Sequence, residues 1–361
     1  VGKKVTIQDI ADALGISRNT VSKAINDGSG LADATRARIL QKAAEMGYKQ
    51  FSYMNAVRDL STHAFPGRSG AQEIALLTTT FLDHDHFASL MLDSFQQEIS
   101  DLGYTMNTHR IREEHLKTRS LPATFHREHV AAILCIELFD RTYADMICSL
   151  GLPVLFVDGP ADLGGPALQA DRLYMDNTTE IARFVREMLR RGKRRIGFVG
   201  DHGHCQSFFE RYAAFRCTML LSGVPVDGSF CVRCNERDGI REHVRSMDRL
   251  PDGFLCVNDF VAMDVLDVLR EMGRSVPEDV FLCGFDDSPG SRRLTPPLTT
   301  VHIHTQIMAF SAVHLLISRI REPNLDLRVI HTQTDLILRG STEGTGTGET
   351  RTGETRKEHR G

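Results

Sequence analysis

The 361-residue chain has no uninterrupted apolar run of roughly eighteen residues, the length that would cross a bilayer, so no membrane span is expected. Its opening Val1-Gly2-Lys3-Lys4-Val5-Thr6 has no apolar stretch and no small-residue cleavage site. A secretory leader is therefore not expected, and a cytoplasmic location is. The eight cysteines are scattered, and only Cys231-Val-Arg-Cys234 forms a close pair. Without a second pair at zinc-finger spacing the thiols read as free and mostly buried, metal or redox work at that pair being the lesser alternative. Gly197-Phe-Val-Gly200 lacks the G-x-G-x-x-G turn, and neither a Gly-Lys-[Ser/Thr] run nor a Gly-x-Ser-x-Gly elbow occurs. Catalysis is not expected, and no catalytic residue, metal or cofactor is assigned.

Charge is small overall but unevenly placed. Residues 1–50 hold eight Lys and Arg against five Asp and Glu, a net +3, which leaves −7 for the rest of a chain whose formal charge is −4. A basic head on an acidic body is expected when only the head meets phosphate. Within that head, Thr6 and Asp9 have capping-box spacing, and Ile7, Ile10, Ala11 and Leu14 recur at helical spacing. Gly15 closes this helix, and Ser17 can cap a second one whose inner face is Val21, Ala24 and Ile25. Its outer face presents Arg18, Asn19, Ser22 and Lys23, side chains able to reach base edges and phosphates in a major groove. A third helix, about Asp33 to Glu45, buries Ile39, Leu40 and Ala43, and Gly47 stops it. Three such helices form a helix-turn-helix unit, the plainer alternative being a small scaffold with no ligand.

The stretch Val5-Thr-Ile-Gln-Asp-Ile-Ala-Asp-Ala-Leu-Gly-Ile-Ser-Arg-Asn-Thr-Val-Ser-Lys-Ala-Ile-Asn26 resembles the head of the LacI family of regulators, as do Thr35-Arg36-x-Arg38-Ile39 and Gly47-Tyr48. Ala32 stands where that family usually has a capping Ser, a role that Asp33 can take over. The resemblance implies that Thr6, Ser17, Arg18, Asn19, Thr20, Ser22, Lys23 and Asn26 face double-stranded operator DNA. Ala56-Val-Arg-Asp-Leu60 resembles the family's hinge helix, although the Pro-Asn that customarily precedes it is missing. Leu60 is then the residue expected to wedge into the minor groove, the bland alternative being ordinary packing in a linker helix.

From residue 73 onward, short apolar runs alternate with helical patterns. Strands are expected at Ile74–Leu77, Ala131–Ile136, Val154–Val157, Ile196–Val199, Phe254–Val257 and Val280–Cys283. The helix after the first strand is expected to turn Leu90, Met91, Phe95, Ile99 and Leu102 to one side. Such alternation implies parallel sheets, and there are too many strands for one sheet, so two α/β lobes are expected.

Val154-Leu-Phe-Val-Asp158, Met175-Asp176-Asn177, Glu210-Arg211-Tyr-Ala-Ala-Phe215, Val257-Asn258-Asp259, Gly284-Phe-Asp-Asp287 and Leu294-Thr-Pro-Pro-Leu-Thr-Thr-Val301 follow in the order of the LacI and periplasmic-binding-protein type I sensing domain. Leu338-Arg-Gly-Ser-Thr342 resembles its closing strand. The resemblance implies an α/β fold: a three-helix head (1–49), a hinge and linker (50–72), and a two-lobed parallel-sheet effector domain (73–342). It also assigns effector contacts to Asp158, Arg211, Asn258 and Asp286, whose carboxylates, amide and guanidinium suit a sugar or related polyhydroxy ligand.

The loops 80–87 and 200–207, with His84-Asp85-His86 and His202-Gly-His204-Cys205, are expected to open on the same cleft. Their histidines can serve as ligand hydrogen-bonders or, less expectedly, bind a metal. A single head grips little DNA, so a homodimer on a pseudo-palindromic operator is expected. The Gly- and Thr-rich tail 343–361 has no apolar seam for a tetramer and is expected to be disordered. The expected function is therefore a sequence-specific repressor under effector control. The alternative is a small-molecule-binding protein of the same fold without a DNA role.

Overall fold

The computed structural model describes residues 5–26, 31–46, 48, 72–80, 86–162 and 165–343. Leu60, His84 and the tail beyond residue 343 lie outside the described residues.

The head comprises α1 (Ile7–Leu14), α2 (Arg18–Asn26) and α3 (Asp33–Glu45). Thr6 and Asp9 form the expected reciprocal box: Asp9 Oδ2 accepts from the Thr6 amide at 2.7 Å, and Thr6 Oγ1 accepts from the Asp9 amide at 3.2 Å. Gly15 ends α1 with φ at +65°, a conformation that would strain a residue carrying Cβ, and so turns the chain toward α2. Ser17 caps α2 by accepting from the Thr20 amide at 3.1 Å. Ile10, Ala11, Val21, Ala24, Ile25, Ile39 and Ala43 close around one another. Asp33 is itself the first helical residue, and the amides of Thr35 and Arg36 donate to the carbonyl of Ala32, which thereby occupies the cap position.

The first lobe holds β1 (Glu73–Thr78), α4 (Phe87–Asp101), β2 (Thr105–Arg110), α5 (Glu113–Thr118), β3 (Val130–Ile136), α6 (Arg141–Cys148), β4 (Val154–Val157) and β5 (Asp171–Met175). Its sheet is parallel throughout, in the order β11-β5-β4-β3-β1-β2, with β11 (Val329–Thr332) arriving from the far end of the chain. Both faces are covered, so neighbouring residues pack on opposite sides. Ile74 and Leu76 meet α4, while Ala75 and Leu77 share the other face with Tyr143, Ala144 and Ile147 of α6. On α4, Met91, Phe95, Ile99 and Leu102 are buried as expected, but Leu90 is 44 % exposed. One residue back from Met91 turns it about 100° off the buried stripe.

The second lobe holds α7 (Thr179–Arg190), β6 (Ile196–Val199), α8 (Gln206–Leu221), β7 (Cys231–Val232), α9 (Arg237–Arg245), β8 (Gly253–Cys256), α10 (Asp259–Glu271) and β9 (Phe281–Cys283). It also holds the short α11 (Pro289–Arg293) and β10 (Thr300–Ile303). Its parallel sheet runs β7-β6-β8-β9. Single bridges, Cys283 to Thr299 and Asp286 to His302, attach to it the antiparallel pair of β10 and β12 (Thr334–Ile337). The closing strand is therefore Thr334–Ile337, not the expected Leu338–Thr342. Gly340–Glu343 instead forms a last helix, α13, with the Ser341 hydroxyl donating to the Leu282 carbonyl at 2.6 Å and the Ser341 amide to that of Pro297 at 3.0 Å.

The chain crosses between lobes three times: after β5, after β10 into α12 (Thr305–Arg321), and between β11 and β12. Hydrogen bonds tie the crossings together. The Asp176 amide donates to the Thr332 carbonyl at 2.7 Å, and the Thr334 hydroxyl donates to the Asp176 carbonyl at 2.9 Å. The head rests against α12 at the second crossing. Phe310 joins the head's apolar cluster, and the Gln306 amide, oriented to satisfy both partners, donates to the Ile25 carbonyl at 3.1 Å and accepts from Arg36. Burial, with the nearby Asp335 charge, raises the Tyr48 hydroxyl above its usual pKa. Among the described residues, no helix is long and apolar enough to cross a membrane.

Candidate functional sites: the head and the cleft between the lobes

The helix-turn-helix carries an exposed polar face. Thr6, Ser17, Arg18, Asn19 and Lys23 are exposed, and Thr20 and Ser22 are half-buried. Thr6 and Ser17 already serve as caps, and the Ser17 and Thr20 hydroxyls lie 2.7 Å apart. Arg18 and Asn19 thus stand at the start of α2 with exposed donors, where the first turn of a recognition helix meets base edges. Asn26 is the last residue of α2.

Asp158, Arg211, Asn258 and Asp286, far apart in the chain, line one cavity of about 420 Å³ between the lobes. It lies beyond the carboxyl ends of the strands, where open α/β sheets bind ligands. Four acidic residues just past strand ends hold left-handed backbone there: Glu137 at φ 54°, Asp158 at 56°, Asp286 at 111° and Asp287 at 55°. Such backbone is costly away from glycine and concentrates at functional sites.

Arg211, on α8, is fully enclosed and stacks on Phe285 with its guanidinium carbon 3.5 Å from the ring centroid. Its Nε donates to Asn177 Oδ1 at 2.9 Å, and Nη1 donates to the Val257 carbonyl at 2.6 Å. The same Nη1 lies 3.8 Å from Asp286 Oδ1. Burial lowers the arginine's pKa and pushes the Asp286 carboxyl up to about 7, despite the opposing pull of the pair. The Asp286 side chain is 10 % exposed and its carboxylate has no hydrogen-bond partner among the described residues. Asn258 caps α10, its Oδ1 accepting from the Val261 amide at 2.9 Å, while its Nδ2 donors have no partner among the described residues.

Asp158 is differently employed. Its Oδ1 accepts from the Gly159 amide at 2.8 Å and, across the cleft, from the Ser207 amide in the first turn of α8 at 3.2 Å. Burial raises its pKa despite these donors. The neighbouring Gly159 carbonyl accepts from the Gln206 amide at 3.0 Å, so this loop joins the lobes directly.

Of the two histidine loops, Thr80, His86, Phe87, His204 and Cys205 line the cavity. His202 instead stacks on Tyr212 at 4.2 Å. His86 Nδ1 accepts from the Ala88 amide at 3.2 Å, which leaves the neutral ring's proton on Nε2, 3.3 Å from Glu137 Oε1. Among the described residues, no three His, Cys, Asp or Glu side chains gather as a metal site.

The sequence reading omitted Glu137, Phe139, Phe208 and Phe260, all on the lining, and Asn177, which orients Arg211. Glu137 was within reach, being the residue that directly follows the apolar strand ending at Ile136, as Asp158 follows Val157.

A helix-turn-helix head joined to a two-lobed sensing domain defines the class: a DNA-binding transcriptional regulator. Residues 6–50 match the family described as bacterial regulatory proteins, lacI family, and residues 185–342 match the periplasmic binding protein-like domain. The chain thus combines a LacI-family helix-turn-helix domain with a periplasmic-binding-protein-like domain. It is 28 % identical over 348 residues to the transcriptional regulator GalR of Lacticaseibacillus casei, covering 93 % of this chain and 99 % of that one. It is 25 % identical to the repressor PurR of Vibrio parahaemolyticus, covering 93 % and 98 %. Among solved structures, a complex of the regulator CelR with cellobiose superposes with a TM-score of 0.67 at 23 % identity, covering 94 % and 100 %. The lac repressor dimer bound to operator and the anti-inducer ONPF gives 0.65 at 18 %, covering 94 % and 99 %.

Proposed function

We propose that this regulator binds a pseudo-palindromic operator as a homodimer and that a polyhydroxy small molecule held between the lobes sets its affinity for DNA. The observation that carries this is the pair of unsatisfied polar groups, Asp286 and the Asn258 amide, beside a locked Arg211 in an aromatic-walled cavity. A sugar's adjacent hydroxyls can donate to the carboxylate and accept from the amide, while a ring face packs on Phe139, Phe208 or Phe260. Relatives with the same fold support the reading: CelR is described with cellobiose and the lac repressor with operator.

In this reading Arg18 and Asn19 read bases, Thr6, Ser17, Thr20, Ser22, Lys23 and Asn26 face the groove and backbone, and Leu60 wedges the minor groove. The working compartment is then the cytoplasm, where the DNA is. Arg211 holds Asn177 at the first crossing, so a ligand that moves Arg211 and Asp286 acts on the segment about which the lobes turn. The head rests on the same junction through Gln306 and Phe310, so a change in lobe angle reaches the head's seat as well as its linker. The effector must then bind the two lobe arrangements unequally, and the operator must alter effector affinity by the same factor.

The test is selection of bound duplexes from a random pool by the full chain, followed by titration of the selected duplex with neutral sugars. Enrichment of a two-fold symmetric site whose binding shifts with one of the sugars is expected. A pool without enriched sequence, or a symmetric site indifferent to every sugar while the chain binds one, overturns the reading.

A further inference from the structure

We infer that the effector carries a positively charged nitrogen, held between Glu137 of the first lobe and Asp286 of the second. This rests on the proposal that the interlobe cavity is the effector site.

The charge on the lining is lopsided. Five carboxylates border the cavity, and among the described residues Arg211 is its single permanent cation. Three of the five have other engagements or lie at the mouth: Asp158 accepts from the α8 amide, Asp264 lies 3.7 Å from Arg237, and Glu236 is exposed. Glu137 and Asp286 remain, one from each lobe, each with one contact longer than a close ion pair: Glu137 Oε1 lies 3.3 Å from His86 Nε2, and Asp286 Oδ1 3.8 Å from Arg211 Nη1. Glu137, like the buried Asp259, is close enough for its charge to hinder ionisation of Asp286, against the pull of Arg211 and His86.

Arg211 offsets part of this charge but gives Asp286 no hydrogen bond, because Nε and Nη1 donate to Asn177 and the Val257 carbonyl and the contact to Asp286 is a long 3.8 Å. Two like charges brought together by opposing lobes resist closure. A ligand ammonium between them converts that repulsion into two charge-assisted hydrogen bonds, so the lobes approach only with the ligand in place. Phe139, Phe208 and Phe260 supply the aromatic faces that a cation also favours. A phosphate or carboxylate on the ligand would face the same two carboxylates and be repelled. The chemistry therefore points to an amine-bearing polyol, such as an amino sugar, over neutral or phosphorylated counterparts.

The experiment is calorimetric titration and thermal shift of the full chain with matched triplets of probes: glucose, galactose and mannose, their 2-amino forms and their 6-phosphates. The amino member of at least one triplet is expected to bind about tenfold or more tightly than its neutral partner, with the phosphate weakest. In Glu137→Gln, the amino form's advantage should fall to about threefold or less. A neutral or phosphorylated member binding as tightly as its amine, or an advantage that survives both Glu137→Gln and Asp286→Asn, overturns the inference and leaves the polyol site standing. No shift from any of the nine compounds overturns the polyol reading and the inference with it.

Discussion

Two cavities of the sensing domain treat their polar groups in opposite ways. One, of about 810 Å³, opens at the amino ends of the first lobe's strands and is lined by Tyr104, Arg127, Leu152, Asp171 and Arg319. The other, of about 420 Å³, lies between the lobes at the carboxyl ends. In the larger cavity Asp171 is buried but saturated: Arg319 donates from Nε and Nη2 at 3.0 Å each, and Arg328 from its amide at 2.7 Å and from Nη2 at 3.2 Å. Burial alone would raise the Asp171 pKa, yet these donors hold it below the usual carboxylate range. In the smaller cavity Asp286, its side chain 10 % exposed, lacks such donors and is pushed up to about 7. Room for a ligand is thus a poor guide to a site, whereas a buried group held ready for a partner that the fold does not provide is a good one.

Variants can test that contrast. The largest effect is expected from Arg319→Met, which leaves a buried carboxylate under-compensated and should cost about 3–5 kcal/mol of stability in denaturant titrations, with effector affinity in the surviving native protein unchanged. A loss below about 1 kcal/mol would remove the cluster from the lobe's structural core. Next, Arg211→Met should weaken effector binding by about 2–5 kcal/mol while ligand-free operator affinity stays within about threefold. Effector bound with parental affinity would move the site elsewhere.

Smaller, and specific to one carboxyl, is a pH effect. The folded pKa of Asp286 is about 7 against 3.8 for the free group, so the native state keeps an extra proton between these values. Stability should accordingly fall as pH rises from about 4 to 7, and this contribution should level off above. A ligand that needs the carboxylate must displace that proton. Its affinity should climb with pH toward about 7, by at most about tenfold per unit, and Asp286→Asn should abolish the slope. Parallel pH slopes in calorimetry for parent and variant would assign the titration to another group. The smallest effect is expected from Arg127→Ala, an exposed residue on the larger cavity. It should change stability by no more than about 0.5 kcal/mol and leave effector affinity alone, and a clear loss of affinity would make that cavity a ligand site after all.

The elements that could be read from the sequence were those that carry their own burial pattern. β1, β3, β4 and β6 are continuous apolar runs because both faces of their sheets are covered. β2, Thr-Met-Asn-Thr-His-Arg, was missed because it lies at a sheet edge with most side chains exposed. β11 was missed for a related reason, since it enters the first lobe's sheet at its other edge from the distant end of the chain. The cleft was legible in part: the resemblance of its motifs to the family's sensing domain pointed to Asp158, Arg211, Asn258 and Asp286, but not to what each group does there. Asp158 proved to cap a helix of the opposite lobe, an engagement that no local pattern announces.

The sequence by itself determined the head. Its box at Thr6 and Asp9, its turn at Gly15 and its cap at Ser17 are contacts among residues a few positions apart, so spacing alone specifies them. Only the tertiary structure decided the state of the cleft. Whether Asp286 is satisfied, what locks Arg211, and that Glu137 faces a like charge from the other lobe depend on where two separately wound sheets bring their strand ends together. Electrostatic interaction follows distance through space, and position along the chain does not encode it.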